Sequence, residues 1–235
     1  PYTTLFRSMS YAFAQRHGIL AVEIGKDVTL IASADPFKKE WEPNLRHVLK
    51  TDIRRVVANP EAIRRFTVEF YQLASSVSKA GGNPAAAGGN IHNFEQLLDI
   101  GGENPDANDQ HVVKIVDWLL QYAYEQRASD IQIEPRRTVS QVRFRIDGVL
   151  HNVYEFPEQV GVAVTSRLKI LGRLNVAEKR RPQDGRIKTR KPDNSEVELR
   201  LATMPTAFGE KMVLRIFDPE VLLKPFEQLG FSRED

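Results

Sequence analysis

The chain has 235 residues and no cysteine. Disulfide frameworks, cysteine zinc sites and thiol nucleophiles are thereby excluded. Long apolar runs are also missing, since nothing approaches the roughly 20 apolar residues that a spanning helix needs. No charged start, apolar core and small-residue cleavage site opens the sequence, so reducing cytosol is the expected compartment. Histidine is sparse. His17, His47, His92, His111 and His151 stand at no spacing that a metal site uses, and no metal is expected. Gly25-Lys26 lacks the upstream glycine of a phosphate loop, and no serine occupies a Gly-x-Ser-x-Gly elbow. No complete catalytic site is expected in this chain.

Net charge is nearly absent too, at +2 from 33 Lys and Arg against 31 Asp and Glu. That balance conceals an asymmetry. Residues 136–215 hold 17 Lys and Arg against 9 Asp and Glu, a net of +8 that leaves −6 for the rest. An uneven balance of this kind suggests a basic surface facing an anionic partner. The plain alternative is a solvated basic face with no ligand.

What is present reads as an α+β chain of two domains. Pro1 to Ser8 fit no element and are set aside as a truncation edge or non-native segment. Ile19 to Ala34 reads as a hairpin turning at Gly25-Lys26-Asp27, and Asp35-Pro36 ends it. A helix over about Lys38 to Lys50 and a strand from Ile53 to Ala58 follow. Asn59-Pro60 then starts a helix, because Asn caps free N–H groups and proline fits a first turn. Together residues 9–78 form a small α/β N-terminal module. Six of the 14 glycines fall in the next stretch, so residues 79–108 read as a flexible linker in which Phe94, Leu97 and Leu98 could form one docked turn.

The second domain, residues 109–219, opens with a helix whose apolar stripe runs from Val112 to Ala123. A short strand follows, with Ile131 and Ile133 on one face. Val142, Phe144 and Ile146 alternate with Arg143, Arg145 and Asp147, and Asp147-Gly148 marks a hairpin. Val160 to Leu171 reads as a second amphipathic helix. Strands at Arg186–Arg190, Val197–Met204 and Lys211–Phe217 complete an antiparallel sheet, the first pair joined by the turn Lys191-Pro192-Asp193-Asn194.

Alternation decides which arginines share a surface. Arg186, Lys188 and Arg190 fall on one face of their strand, as do Glu196, Glu198 and Arg200 on the next. If the strands pair as a hairpin, Arg186 and Arg200 lie on one polar surface beside the arginine-rich turn at 180–185. A guanidinium grips phosphate oxygens through two hydrogen bonds, which lysine cannot do. The competing reading is that these arginines only pair with Glu196, Glu198 or Asp184, at about 0–1 kcal/mol each. Asp130 and Glu134 could face each other across a turn, where paired carboxylates are usually solvated or capping.

The motifs Ala128-Ser129-Asp130-Ile131-Gln132-Ile133-Glu134-Pro135, Arg143-Phe144-Arg145-Ile146-Asp147-Gly148 and Arg181-Pro182-Gln183-Asp184-Gly185-Arg186 occur in that order. They are followed by 196–206, Glu-Val-Glu-Leu-Arg-Leu-Ala-Thr-Met-Pro-Thr, and by Gly209-Glu210-Lys211-Met212-Val213-Leu214-Arg215. This series resembles the secretion ATPases of type II secretion and type IV pilus assembly. More weakly, 11–18 and Ala34-Asp35-Pro36 resemble that family's N-terminal module.

The resemblance implies a PAS-like domain over 109–219, with residues 220–235 beginning a RecA-like domain whose Walker motifs lie outside this chain. It implies a cytoplasmic homo-hexamer at the inner membrane, with the N-terminal module binding membrane platform proteins. ATP and Mg2+ would serve the parent enzyme. By motif position it carries phosphate contacts onto Arg186 and Arg200, on the RecA-like domain or a neighbouring subunit. The fragment alone is expected to bind no cofactor and to hydrolyse nothing. Gln132 departs from the family's usual histidine and cannot titrate. The Arg-Leu-Gly segment with which some relatives bind cyclic di-GMP is absent, so that ligand is not expected.

Two rival readings come from other classes. The sequence pI near 8.9 fits a nucleic-acid-binding module, but base-stacking sheets need aromatics among their basic residues. Phe144 is out of phase with Arg143 and Arg145 and is expected in the core, so nucleic acid is not the expected partner. The other rival is an interaction scaffold with no nucleotide role.

Overall fold

A computed structural model describes residues 9–81, 106–191 and 194–217. The expectations for 1–8, for nearly all of the linker, for Pro192-Asp193 and for 218–235 lie outside the described residues. The architecture is α+β, as expected, with one sheet of three strands and one of six.

The first module runs α1 (Tyr11–His17), β1 (Ile19–Ile24), β2 (Val28–Ser33), α2 (Glu42–Leu49), β3 (Asp52–Val57) and α3 (Pro60–Ala80). β1 and β2 are antiparallel, whereas β3 joins β2 in parallel through the α2 crossover. Helix α2 begins four residues later than the Lys38 start expected from sequence, with Pro43 in its first turn. Proline is tolerated there and nowhere deeper, because its ring would clash with the preceding turn. That position rules out a helix running in from Lys38. Asn59 caps α3 as expected, its Oδ1 accepting the Glu61 N–H at 2.8 Å. Trp41 and Leu45 fill the core on one side of the small sheet with Ile19 and Ile31, and Ile63 closes the other side against Leu20 and Ala32.

Helix α3 is 21 residues long and belongs to two cores. Ile63 packs on the small sheet, while Leu73, Val77 and Ala80 join the core of the second domain. Lys79 and Ala80, expected in the linker, are the last turn of this helix. Its neighbour α4 (Gln110–Glu125) starts at Asp109, whose Oδ1 accepts the His111 N–H. Edge-on and stacked rings of Phe66, Phe70, Trp118 and Tyr122 fill the seam between the two helices.

The second sheet contains β4 (Asp130–Pro135), β5 (Val139–Ile146), β6 (Val149–Pro157), β7 (Gln183–Arg190), β8 (Glu196–Thr206) and β9 (Gly209–Phe217), in the order β6-β5-β4-β9-β8-β7. Helix α5 (Glu158–Leu171) lies between β6 and β7 in sequence. One face of the sheet carries Ile131, Ile133, Val142, Phe144, Leu199, Leu201, Met212 and Leu214, all buried with α4 and α5. Phe144 sits in this core, where its alternation had placed it. Asp147 and Gly148 both take positive φ (49° and 81°), which closes the β5–β6 hairpin.

Helix α5 approaches β5 so closely that a Cβ on Gly161 would lie 2.0 Å from Ser140 Oγ and 2.3 Å from Ser140 Cβ. Rotating the hydroxyl cannot relieve the second clash. Gly161→Ala is therefore expected to force the helix outward at a cost of about 1–3 kcal/mol. A lowered melting temperature by circular dichroism would show this, and an unchanged one would refute it.

Candidate functional site

The polar face of the six-stranded sheet is built by the alternation that builds its core. In β4, Ile131 and Ile133 point inward, so Asp130, Gln132 and Glu134 point to the other face. All three are nonetheless buried, at 5–7% exposure, and long basic side chains from the flanking strands lie over the two carboxylates. Asp130 and Glu134 do not meet across a turn. They stand four residues apart on one strand, about 13 Å, each under its own cations.

Glu134 accepts from Arg136, Arg143 and, at 2.6 Å, Lys211. Burial alone would raise its pKa, but the hydrogen bonds from Lys211 and Arg143 outweigh that and hold it below its ordinary value of 4.5. A depressed carboxylate contributes stability that is complete above the unfolded-state pKa and is lost as pH falls through the native one. Glu134→Gln should therefore lose stability at pH 7, and the loss should shrink as pH falls through the depressed native pKa of Glu134. Urea titrations over a series of falling pH values would check this, and a loss independent of pH would refute it.

Asp130 is the second anchor. Its Oδ1 accepts from Arg215 Nε at 3.1 Å, while Oδ2 lies 3.3 Å from Arg145 Nε and accepts from Ser129 Oγ at 2.8 Å.

Arg186 and Arg200 come together as the pattern predicted. They are direct cross-strand partners on β7 and β8, with Lys188 opposite Glu198 and Arg190 opposite Glu196. Both engage one carboxylate: Glu198 Oε1 lies 3.3 Å from Arg200 Nε and 3.9 Å from Arg186 Nη1. The Arg200 guanidinium also rests over the Phe217 ring, 5.1 Å from its centre. The pairing with Glu198 is real but exposed, at about 0–1 kcal/mol, and one carboxylate cannot neutralise two guanidiniums. No pair to Asp184 occurs among the described ion pairs. Their side chains are 69% and 54% exposed.

The loop before Arg186 explains its motif. Gln183 latches the loop through Nε2 to the carbonyls of Asn175 and Glu178, and its Oε1 accepts the Asn175 N–H. Gly185 has no Cβ because one would meet the Gly172 carbonyl oxygen at 2.7 Å. Beneath this loop Lys169, with its side chain 1% exposed, donates to the Glu178 carbonyl and to Glu210 Oε1, each at 2.7 Å. Sequence reasoning missed Lys169, Glu210, Lys211 and Arg215. A lysine inside an apolar helix stripe, and the adjacent Glu210-Lys211, were the available signals. Neither reveals its partner, since Lys169 and Glu210 are 41 residues apart.

A separate groove of about 670 Å3 lies between α3 and α4, over Leu73, Trp118 and Tyr122, and shares no residue with the arginine face. Burial and the neighbouring Glu125 raise the Glu69 pKa there, with Arg65 opposing.

Comparison with known proteins places the chain in a family. Residues 105–235 match the family model described as type II/IV secretion system protein, and residues 1–77 match the MshEN domain. The chain belongs to the type II/IV secretion system protein family. Among its relatives, the type IV pilus assembly ATPase TfpB of Acinetobacter baylyi is 53% identical over 226 residues, 95% of this chain and 38% of the relative. The type IV pilus assembly ATPase PilB of Myxococcus xanthus is 33% identical over 94% of this chain and 39% of its own length. Type II secretion system protein E of Pseudomonas aeruginosa is 29% identical over 97% and 45%. The chain thus spans about two fifths of the length of these relatives. Among the described residues no helix is long and apolar enough to cross a membrane.

Proposed function

We propose that this chain is the N-terminal part of a hexameric ATPase that powers type IV pilus assembly or type II secretion, with its second domain PAS-like. Arg186 and Arg200 contact the phosphates of nucleotide held by the RecA-like domain or a neighbouring subunit. The first module docks to membrane platform proteins at the cytoplasmic side of the inner membrane. The observation that carries this reading is the pairing of Arg186 with Arg200 on the outer sheet face, where among the described residues only Glu198 forms ion pairs with them. Two planar forks side by side suit a chain of phosphate oxygens. Magnesium would arrive with the nucleotide. Among the described residues no group of three or more His, Asp or Glu stands ready to hold a metal ion.

The test is ATP turnover by Arg186→Ala and Arg200→Ala in the polypeptide at the full length of its relatives, with folding checked by thermal melts. Unchanged rates in both would reject the phosphate assignment.

A further inference from the structure

Arg186 stands on β7, an edge strand of the six-stranded sheet whose one neighbour is β8. Hydrogen bonds to β8 set its register, but they leave the other side of the strand without a ladder. Where β7 begins, support comes from the loop 172–182 and from a buried side chain beneath it. Met212 and Leu214 of β9 face the core, so Glu210, two residues earlier, points the same way and meets the buried Lys169 ammonium of α5. The second acceptor of that ammonium is the Glu178 carbonyl. One buried charge thus ties α5, β9 and the loop together.

The loop hands this constraint to the strand. The Glu178 carbonyl also accepts from Gln183 Nε2, and the Gln183 N–H donates to Thr203 Oγ1 on β8. The Leu174 N–H donates to the Lys169 carbonyl. Leu174 in turn lies so close to β7 that a Cβ on Gly185 would stand 2.7 Å from its Cδ2. Arg186 is the next residue.

We propose that Lys169 is a positioning residue for Arg186, acting through the loop it holds, so that the buried ion pair serves turnover as well as folding. The inference rests on the proposed phosphate contact of Arg186. Surface contacts do not place that arginine: its side chain is 69% exposed and its distance to Glu198 is 3.9 Å, a pairing of the weak kind. Its position is set by the backbone, and the start of an edge strand follows whatever anchors it. Lysine suits the task, because three donors on one compact charge can hold a carboxylate and a carbonyl at once. Misplacing a contributing group by about 1 Å can cost about a hundredfold in rate. A released loop therefore matters for kinetics even where it hardly alters stability.

The test uses Lys169→Met with Glu210→Gln in the polypeptide at the full length of its relatives. The paired change strands neither charge and should keep most of the stability. Amide exchange at 183–187 should quicken, and ATP turnover should fall about ten- to a hundredfold. Because the loss passes through Arg186, the same pair of changes made in Arg186→Ala should lower turnover no further. A merely structural role would take the same fraction in either background.

Wild-type turnover in the paired variant, unchanged exchange at 183–187, or an equal fractional loss with and without Arg186 would overturn this inference and leave the phosphate contact standing. Wild-type turnover in Arg186→Ala would overturn both. Should the paired variant fail to fold, Gln183→Ala opens the same loop at its other latch, and its comparison with and without Arg186 decides the inference in the same way.

Discussion

Glu210→Ala should cost about 3–5 kcal/mol, because it strands a buried ammonium. Lys169 has almost no access to water and donates to two oxygens, Glu210 Oε1 and the Glu178 carbonyl. Removing the carboxylate leaves the charge with one neutral acceptor in a low-dielectric setting, and desolvation is then uncompensated. The double replacement Lys169→Met with Glu210→Gln removes both charges at similar volume and should recover much of the loss. Urea unfolding midpoints at constant m-value would measure the difference. Equal losses in the single and double variants would show that packing, not the unpaired charge, sets the cost. Glu210→Ala should also loosen the Arg186 loop, since Lys169 and Gln183 share the Glu178 carbonyl.

If Arg186 and Arg200 hold the proposed phosphate contacts, Arg200→Ala and Arg186→Ala in the polypeptide at the full length of its relatives should lower ATP turnover by about 10²–10³-fold, the cost of removing one preorganised donor from a developing phosphate charge. Neither change should disturb folding: both side chains are mostly exposed, and their shared ion pair is of the weak surface kind. Arg200→Lys keeps the charge but loses the planar fork and its rest over Phe217, so it should restore little of the rate. Steady-state kinetics separate the cases. A fall in kcat with unchanged KM points to a contact made in the transition state, and a rise in KM alone to ground-state binding. Full activity in the lysine variant would mean that only charge matters at that position.

Much of this was legible in the sequence. Period-two alternation put Phe144, Val197 and Leu199 in the core and Arg186 and Arg200 on one outer surface. The cap at Asn59 and the turn at Asp147-Gly148 were written in local chemistry. Helix α2 was misplaced where Pro43 should have overruled the hydrophobic pattern. The buried polar line of β4 was less accessible for a physical reason. Its burial depends on β9 lying beside β4, a pairing of residues some 80 positions apart that alternation within one strand does not encode. Arg215 and Lys211 were quoted as motif letters, but only that pairing sets them over Asp130 and Glu134. The dual membership of α3 was hidden likewise, since its apolar spacing shows a face and not which core receives it.

The sharing of α3 between two cores has a mechanical consequence. A helix of 21 residues is a strut about 30 Å long. One end is bolted into the small sheet, and the other is wedged beside α4 by a lattice of aromatic rings. Swivelling the first module against the second domain would require Leu73, Val77 and Ala80 to leave an apolar core. A pull on that module is therefore borne by the strut, and the load arrives at the back of the sheet whose front carries the arginines.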